Sequence, residues 1–358
     1  RGETGGIEAA KQKHQVIMTP GKPVYFDHTQ SKNEDSVTIG GYNPIEAVYA
    51  YEPNPKELNA EESKYILGAQ ANVWTEYMSN TRKIEYMIFP RMAALSEVLW
   101  SEKKDWSDFE KRLPMQMKRY EMLELNYSKA YYDLKAVVSP TEDLNGVYWK
   151  LESKNDLGKI YYSVGNQSTD LNYNNAIRVN TSNFYTARYY YDNRVVSSLQ
   201  QNFAFSKSTG KKITLTTLPS KSYPGDGEFT LVNGIINEKG LARSQEFLGF
   251  SGSDCEAVID LGKLDTINNV TAHVFSQTSS WIWPPSSFTV QTSMDGINFN
   301  AIVDVGPPVL NENKVQLNFP AQVTRYVKVF IKNKGIIPEG NAGAGNKAWL
   351  FVSEVQVF

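Results

Sequence analysis

Apolar and polar positions change their rhythm twice along this chain. Over the first third, short apolar runs alternate with stretches of helical period. Glu3 to His14 predicts a helix with a basic end, and Gln15 to Thr19 a short buried strand closed by Pro20-Gly21. Pro44 to Tyr51 predicts one short helix, and Tyr65 to Ala71 a second apolar strand. Ile84, Met87, Ile88, Arg91, Met92, Leu95, Val98 and Leu99 are spaced to bury one helix face, and Pro90 must kink or restart that helix. Trp106 to Leu125 predicts a final helix, with Phe109, Leu113, Met117, Tyr120 and Leu123 on its apolar side.

From Pro140 the texture becomes β-rich. Val147 to Leu151, Lys159 to Val164, Ala176 to Val179, Phe184 to Tyr191 and Gln201 to Phe205 are short strand-like runs between Asn, Asp, Ser and Gly clusters. Ser206 to Lys212 reads as a linker, and the remainder is again all-β. A length of 358 residues suggests two or three domains.

The apolar strand Tyr65 to Ala71 leads into Trp74, Thr75 and Glu76. In an extended backbone, positions i and i+2 share a side, so an indole and a carboxylate would line one wall, a surface suited to a sugar ring. Tyr25 and Asp27 repeat that spacing after the preceding strand.

These residues sit in a longer pattern: Gly68, Gln70-Ala71-Asn72, Trp74-x-Glu76-Tyr77, Glu85-Tyr86-Met87, Pro90-Arg91 and Ala94-Leu95-x-Glu97-x-x-Trp100. The pattern resembles the last strand and helix of the (β/α)₈ barrel of the glycoside hydrolase family 20 β-N-acetylhexosaminidases. Residues 1–135 would then be the C-terminal part of such a barrel. Ile160-Tyr-Tyr-Ser-Val-Gly, followed by Tyr173 and Ile177, resembles a chitobiase-type C-terminal β-sandwich over residues 136–208. The same residues favour a plain spacer sandwich with no ligand.

Gly225-Asp-Gly-Glu-Phe, Leu231-Val-Asn-Gly, Phe250-Ser-Gly-Ser-Asp and Val258-Ile-Asp-Leu-Gly-Lys resemble a discoidin, or coagulation-factor type C, module over residues 213–358. Ser280-Trp-Ile-Trp-Pro-Pro, Ser293-Met-Asp-Gly-Ile-Asn-Phe, Arg325-Tyr-Val-Lys-Val and Ser353-Glu-Val-Gln-Val-Phe continue that likeness, which implies an eight-stranded jelly roll. The expected fold class is therefore multidomain α/β plus all-β: part of a barrel, a small β-sandwich and a jelly-roll β-sandwich.

The family 20 resemblance implies roles. Tyr25 would bond the substrate acetamide carbonyl, and Asp27 and Glu76 would receive the O4 and O6 hydroxyls. Trp74 would be the stacking floor. The chemistry it implies is substrate-assisted retaining hydrolysis, with the acetamide oxygen as nucleophile and an Asp-Glu pair supplying proton transfer. That pair belongs to a mid-barrel strand with no counterpart here. Glu34-Asp35, Glu61-Glu62 and Glu142-Asp143 read as solvated loops or links. A barrel needs about 250 residues and eight strands, so either the rest lies upstream or the segment packs otherwise. The expectation is a portion of an exo-enzyme acting on glycans with terminal β-linked N-acetylglucosamine or N-acetylgalactosamine, inactive by itself.

Cofactors are not required by that chemistry. The discoidin likeness implies a candidate structural Ca²⁺ at Asn233 and Glu354, with Asn233 standing where Asp is usual. Trp281 and Trp283 could form a sugar-stacking platform, or one could be core and the other exposed. The rival reading is a non-catalytic carbohydrate-binding or adhesion protein working through that module; a third is a structural spacer.

A net charge of −2 gives no electrostatic case for nucleic acid or an anionic membrane. The single Cys255 excludes an intrachain disulfide, the three histidines have no metal-ligand spacing, and no run of 18 apolar residues offers a transmembrane segment. The resemblance implies a secreted, periplasmic or cell-surface location.

Overall fold

The computed structural model describes residues 2–33, 38, 41–302, 309–311 and 313–358. The acidic pair Glu34-Asp35 lies outside the described residues. The chain divides into two compact units, Arg1–Asp133 and Leu134–Phe358.

The first unit runs α1 (Thr4–Lys11), β1 (Val16–Met18), α2 (Gly21–Val24), α3 (Ile45–Tyr49), α4 (Ala60–Ser63) and β2 (Ile66–Ala69). Three helices follow: α5 (Thr81–Ile88), α6 (Arg91–Trp100) and α7 (Trp106–Met122). The strands β1 and β2 pair in parallel, with Val16 opposite Ile66, Ile17 opposite Gly68 and Met18 opposite Ala69. Among the described residues this two-stranded pair is the unit's sheet, and no closed barrel forms. Parallel strands are normally covered on both faces. Here Ile17 and Leu67 are 55% and 59% exposed, so one apolar face of the pair is open.

Helix boundaries follow local chemistry. Asn80 caps α5 by accepting from the Lys83 N–H, and Asp105 caps α7 by accepting from that of Asp108. Pro90 separates α5 from α6, the restart that its missing N–H predicts. Phe109, Leu113, Met117 and Tyr120 are buried along α7, but Leu123 is exposed because it stands past the last turn. Glu61-Glu62 departs from the loop reading. Asn59 and Glu62 form a reciprocal capping box at the start of α4, and Glu61 pairs with Lys64.

The second unit begins with β3 (Leu134–Pro140), β4 (Val147–Ser153), β5 (Lys159–Val164), β6 (Leu171–Asn172), β7 (Ile177–Val179), β8 (Asn183–Tyr191) and β9 (Arg194–Phe203). They form a three-stranded sheet, β3-β4-β7, and a four-stranded sheet, β6-β5-β8-β9. Alternate residues point inward: Val147, Trp149 and Leu151 from β4, Tyr185, Ala187 and Tyr189 from β8. Glu142-Asp143 lies on a turn beside this sheet, where Thr141 and then Arg178 hold the Asp143 carboxyl far below the usual range.

The remaining strands are β10 (Lys212–Leu215), β11 (Leu248–Ser251), β12 (Cys255–Phe275), β13 (Ser287–Ser293), β14 (Asn300–Ala301), β15 (Val309–Leu310), β16 (Lys314–Lys332) and β17 (Trp349–Val357). All eight join one sheet, ordered β11-β17-β12-β16-β13-β14, with β10 added on β12 and β15 on β16. The long strands β12 and β16 break register between Asp260 and Asp265 and again between Ile267 and Asn269. Such irregularities let a long ribbon bend. The bent sheet encloses Ala257, Ile259, Val327, Val329, Ile331, Leu350, Val352 and Val355.

Ser206 to Lys212 is not a free linker. Ser208 and Thr209 are buried, the Ser208 hydroxyl donates to the Val355 carbonyl, and Lys207 N–H donates to that of Val357. Gly210 sits at φ +76°, and a Cβ there would lie 2.3 Å from the Gly146 carbonyl oxygen. Polar residues read as linker here because their hydrogen bonds are internal.

Candidate functional site

Past the C-terminal ends of β1 and β2 the parallel pairing continues as a single bridge between Tyr25 and Asn72. Phe26 N–H donates to the Asn72 carbonyl at 2.8 Å, and Asn72 N–H donates to that of Val24 at 2.9 Å. This stitch carries both predicted side-chain pairs to one mouth. A cleft of about 950 Å³ opens there, lined by Lys22, Tyr25, Asp27, His28, Trp74 and Glu76 among others. All four predicted sugar-holding residues therefore share one wall.

The geometry differs from the prediction in one respect. Glu76 is not on extended backbone; it lies in a turn closed by Met78 N–H donating to the Thr75 carbonyl. The turn, not strand alternation, brings its carboxylate to the cleft that Trp74 faces. The Tyr25 and Trp74 rings meet edge-on, with centroids 5.9 Å apart at 67°. Trp74 keeps 47% of its surface exposed, enough free face for a ligand ring.

Asp27 is the most enclosed acceptor. Its residue is 6% exposed, and Oδ1 has no hydrogen-bond partner among the described residues. A buried carboxylate oxygen without a donor costs about 1–3 kcal/mol. His28 beside it has a buried Nδ1 with no partner among the described residues, and burial lowers its pKa against the opposing pull of Asp27. His28 and Lys22 were not foreseen as lining residues. His28 directly follows Asp27, a signal that could have found it.

Beneath this wall lies Arg91, fully buried and hydrogen-bonded to backbone carbonyls alone. Burial pushes its pKa down to about 9, so it remains a cation at neutral pH. An arginine at a core-facing helical position was the available signal.

In the second unit, Trp281 is 38% exposed and adopts left-handed backbone, φ +66°. Its ring lies over Gly343, where a Cβ would approach within 2.3 Å. Ile282 is buried, and Trp283 is half-buried with its Nε1–H enclosed and without a partner among the described residues. Trp281 is thus the accessible member of the pair.

Glu354 is wholly buried. Oε2 accepts from Gly234 N–H at 3.1 Å, Oε1 has no partner among the described residues, and burial raises its pKa well above the usual carboxyl range. That orphaned oxygen fits a hard cation. The Asn233 side-chain oxygen fits less well, because it already accepts from Ile235 N–H at 2.8 Å. Among the described residues no cluster of three or more His, Cys, Asp or Glu side chains could hold a metal. A cation here would need backbone carbonyls beside Glu354.

Comparison with known proteins bears on the first unit. The family model described as glycosyl hydrolase family 20, catalytic domain, matches residues 1–103. A β-hexosaminidase of Porphyromonas gingivalis is 48% identical over 131 residues, 36% of this chain and 17% of that protein. One from Vibrio furnissii is 35% identical over 97 residues, 26% of this chain and 16% of that protein. The solved structure of a family 20 exo-β-N-acetylglucosaminidase from Vibrio harveyi, bound to N-acetylglucosamine, aligns over 37% of this chain and 21% of that chain at 31% identity and a TM-score of 0.32. The chain spans about a sixth of the length of the two curated relatives. The matched segment is similar to a family 20 catalytic domain, and its relatives are β-hexosaminidases. No helix among the described residues is long and apolar enough to cross a membrane.

Proposed function

We propose that the first unit is the sugar-holding wall of a family 20 exo-β-N-acetylhexosaminidase site. Its substrates would be glycans with terminal β-linked N-acetylglucosamine or N-acetylgalactosamine. The observation that carries this reading is the meeting of Tyr25, Asp27, Trp74 and Glu76 in one cleft at the C-terminal ends of two parallel strands. In it, Trp74 offers an apolar face to the sugar ring, Asp27 and Glu76 accept its hydroxyls, and Tyr25 donates to the acetamide carbonyl. The acetamide oxygen then attacks its own anomeric carbon, a proximity mechanism that asks no nucleophile of the protein.

Proton transfer in this reading belongs to an Asp-Glu pair outside residues 1–358. The open apolar face at Ile17 and Leu67 supports that reading, because further barrel strands would cover it. The test is hydrolysis of an aryl β-N-acetylglucosaminide by the 358-residue chain, beside a longer chain with a complete barrel. Turnover by the longer chain alone supports the proposal. Turnover by the 358-residue chain refutes the outside acid and directs the search to Asp27 and Glu76.

The second unit supports an alternative, carbohydrate binding without catalysis, through the exposed Trp281. It predicts glycan affinity that survives Trp74→Ala and is lost in Trp281→Ala. We also propose that Glu354, with neighbouring backbone carbonyls, holds a structural Ca²⁺, and that the protein acts outside the cytoplasm.

A further inference from the structure

The break between α5 and α6 does more than end a helix. Pro90 has no N–H to give the Tyr86 carbonyl, so the last turn of α5 is left with open acceptors. Gln30, itself buried, reaches them: its Nε2 lies 2.5 Å from the Tyr86 carbonyl oxygen and 3.3 Å from those of Met87 and Phe89. Arg91, the first residue of α6, turns in the other direction. Its Nη1 donates to His28 and Asn43 carbonyls, both at 3.0 Å, and its Nη2 to Phe26 at 2.6 Å. Nε and Nη2 also donate to Met87. All five guanidinium hydrogens are thereby used on carbonyls, while the group stacks 4.6 Å from the Phe26 ring centre.

Asn43 extends the clamp. Its side chain donates to Pro23 at 2.6 Å and Tyr25 at 3.1 Å, and its backbone N–H donates to Thr29 at 2.8 Å. With the Asn72 N–H on Val24, the carbonyls of Pro23, Val24, Tyr25, Phe26, His28 and Thr29 each have a donor. A loop with its carbonyls tied down in this way has one conformation, and that conformation turns Tyr25 and Asp27 into the cleft.

We infer that Arg91 is a positioning residue for the sugar-holding site, fixing the Tyr25–His28 backbone with Asn43 as relay. The inference rests on the proposed role of Tyr25 and Asp27. Lysine cannot replace the guanidinium, since a single ammonium has three donors and no planar fork.

The test compares Arg91→Lys and Arg91→Met with the wild-type chain by amide hydrogen exchange and by saturation-transfer NMR with N-acetylglucosamine. Exchange over residues 24–29 should quicken by about 10-fold or more in Arg91→Lys, with α7 unchanged. N-acetylglucosamine affinity should fall roughly 10-fold, and further in Arg91→Met. Unchanged exchange over residues 24–29 in Arg91→Lys overturns the inference. If Arg91→Met does not fold, Asn43→Asp decides the relay: it keeps Arg91 but removes the side-chain donor, and it must loosen Tyr25 without loosening α7. Absence of sugar binding by the wild-type chain would instead strike the functional reading, while exchange still judges the clamp.

Discussion

Gly210→Ala tests whether Leu134–Phe358 behaves as one cooperative body. Gly210 stands at φ +76°, where an L-residue costs about 1–2 kcal/mol. Its new Cβ would lie 2.3 Å from the Gly146 carbonyl oxygen, a backbone atom that no rotamer change moves away. Relief requires the turn to shift by roughly 1 Å. That shift strains the 2.7 Å hydrogen bond from Gly210 N–H to the Val232 carbonyl, worth about 1 kcal/mol. The terms together give about 2–3 kcal/mol, or a fall in Tm of about 4–12 °C for a unit of this size. Gly262→Ala is the control: its φ is +82° with nothing near the added Cβ, so the conformational term acts alone and Tm falls by about 2–8 °C. Calorimetry should show a single lowered transition for Leu134–Phe358. A Tm within about 1 °C of wild type, or two separately melting β segments with one unaffected, refutes the reasoning.

Trp74→Ala and Glu76→Gln should each weaken N-acetylglucosamine binding by about 10-fold, measured by NMR titration, without changing Tm by more than about 1 °C, because both side chains are exposed. Calcium at about 100 times its dissociation constant should stabilise the second unit by about 2.7 kcal/mol, and Glu354→Gln should abolish that response in calorimetry with and without chelator. The Arg325 pair, at 2.8 and 2.9 Å, lowers the Asp260 pKa below its ordinary value. A depressed carboxylate stabilises the fold above its unfolded pKa and loses that contribution as pH falls through the folded pKa. Arg325 is partly exposed, so Asp260→Asn should cost under about 1 kcal/mol at neutral pH, and less as pH falls below the ordinary carboxylate range, read from urea unfolding across an acid pH series.

The sequence was most informative where one physical constraint dominated. Lys159–Val164 was placed to the residue because its apolar run is bounded by turn residues on both sides. The helix restart at Pro90 follows from a missing N–H. Leu134–Pro140 and the first seven residues of Arg194–Phe203 lie outside the sequence reading because their exposed stretches carry little apolar alternation. Ser206 to Gly210 was misread because its polar groups bond inward to Val355 and Val357, partners about 150 residues away that composition does not reveal. In the site, the residues at i and i+2 do line one cleft, though strand alternation accounts for only part of their placement. Tyr25 and Asp27 lie where the parallel pairing ends, but Glu76 reaches the cleft through a turn. Long-range carbonyl partners made the Arg91 clamp invisible until the chain was folded.

The clamp also explains how an unpartnered acceptor at Asp27 can persist. A mobile loop would swing that carboxylate into water and remove the penalty of its bare oxygen. Here Phe26 is held by Arg91 and Asn72 on one side of Asp27, and His28 by Arg91 on the other, so the side chain stays enclosed. The cost is carried by the fold. Under the proposed function, such a site would select for a hydroxyl-bearing ring that also lies flat on Trp74, since either contact alone leaves the other half unmet. Preorganised acceptors of this kind act through the absence of reorganisation on binding. Under the proposed function, a loosened clamp would therefore lower sugar affinity while relieving the stability cost borne at Asp27. The Arg91 variants separate these effects, because affinity and local exchange should move together in them while global unfolding follows a different course.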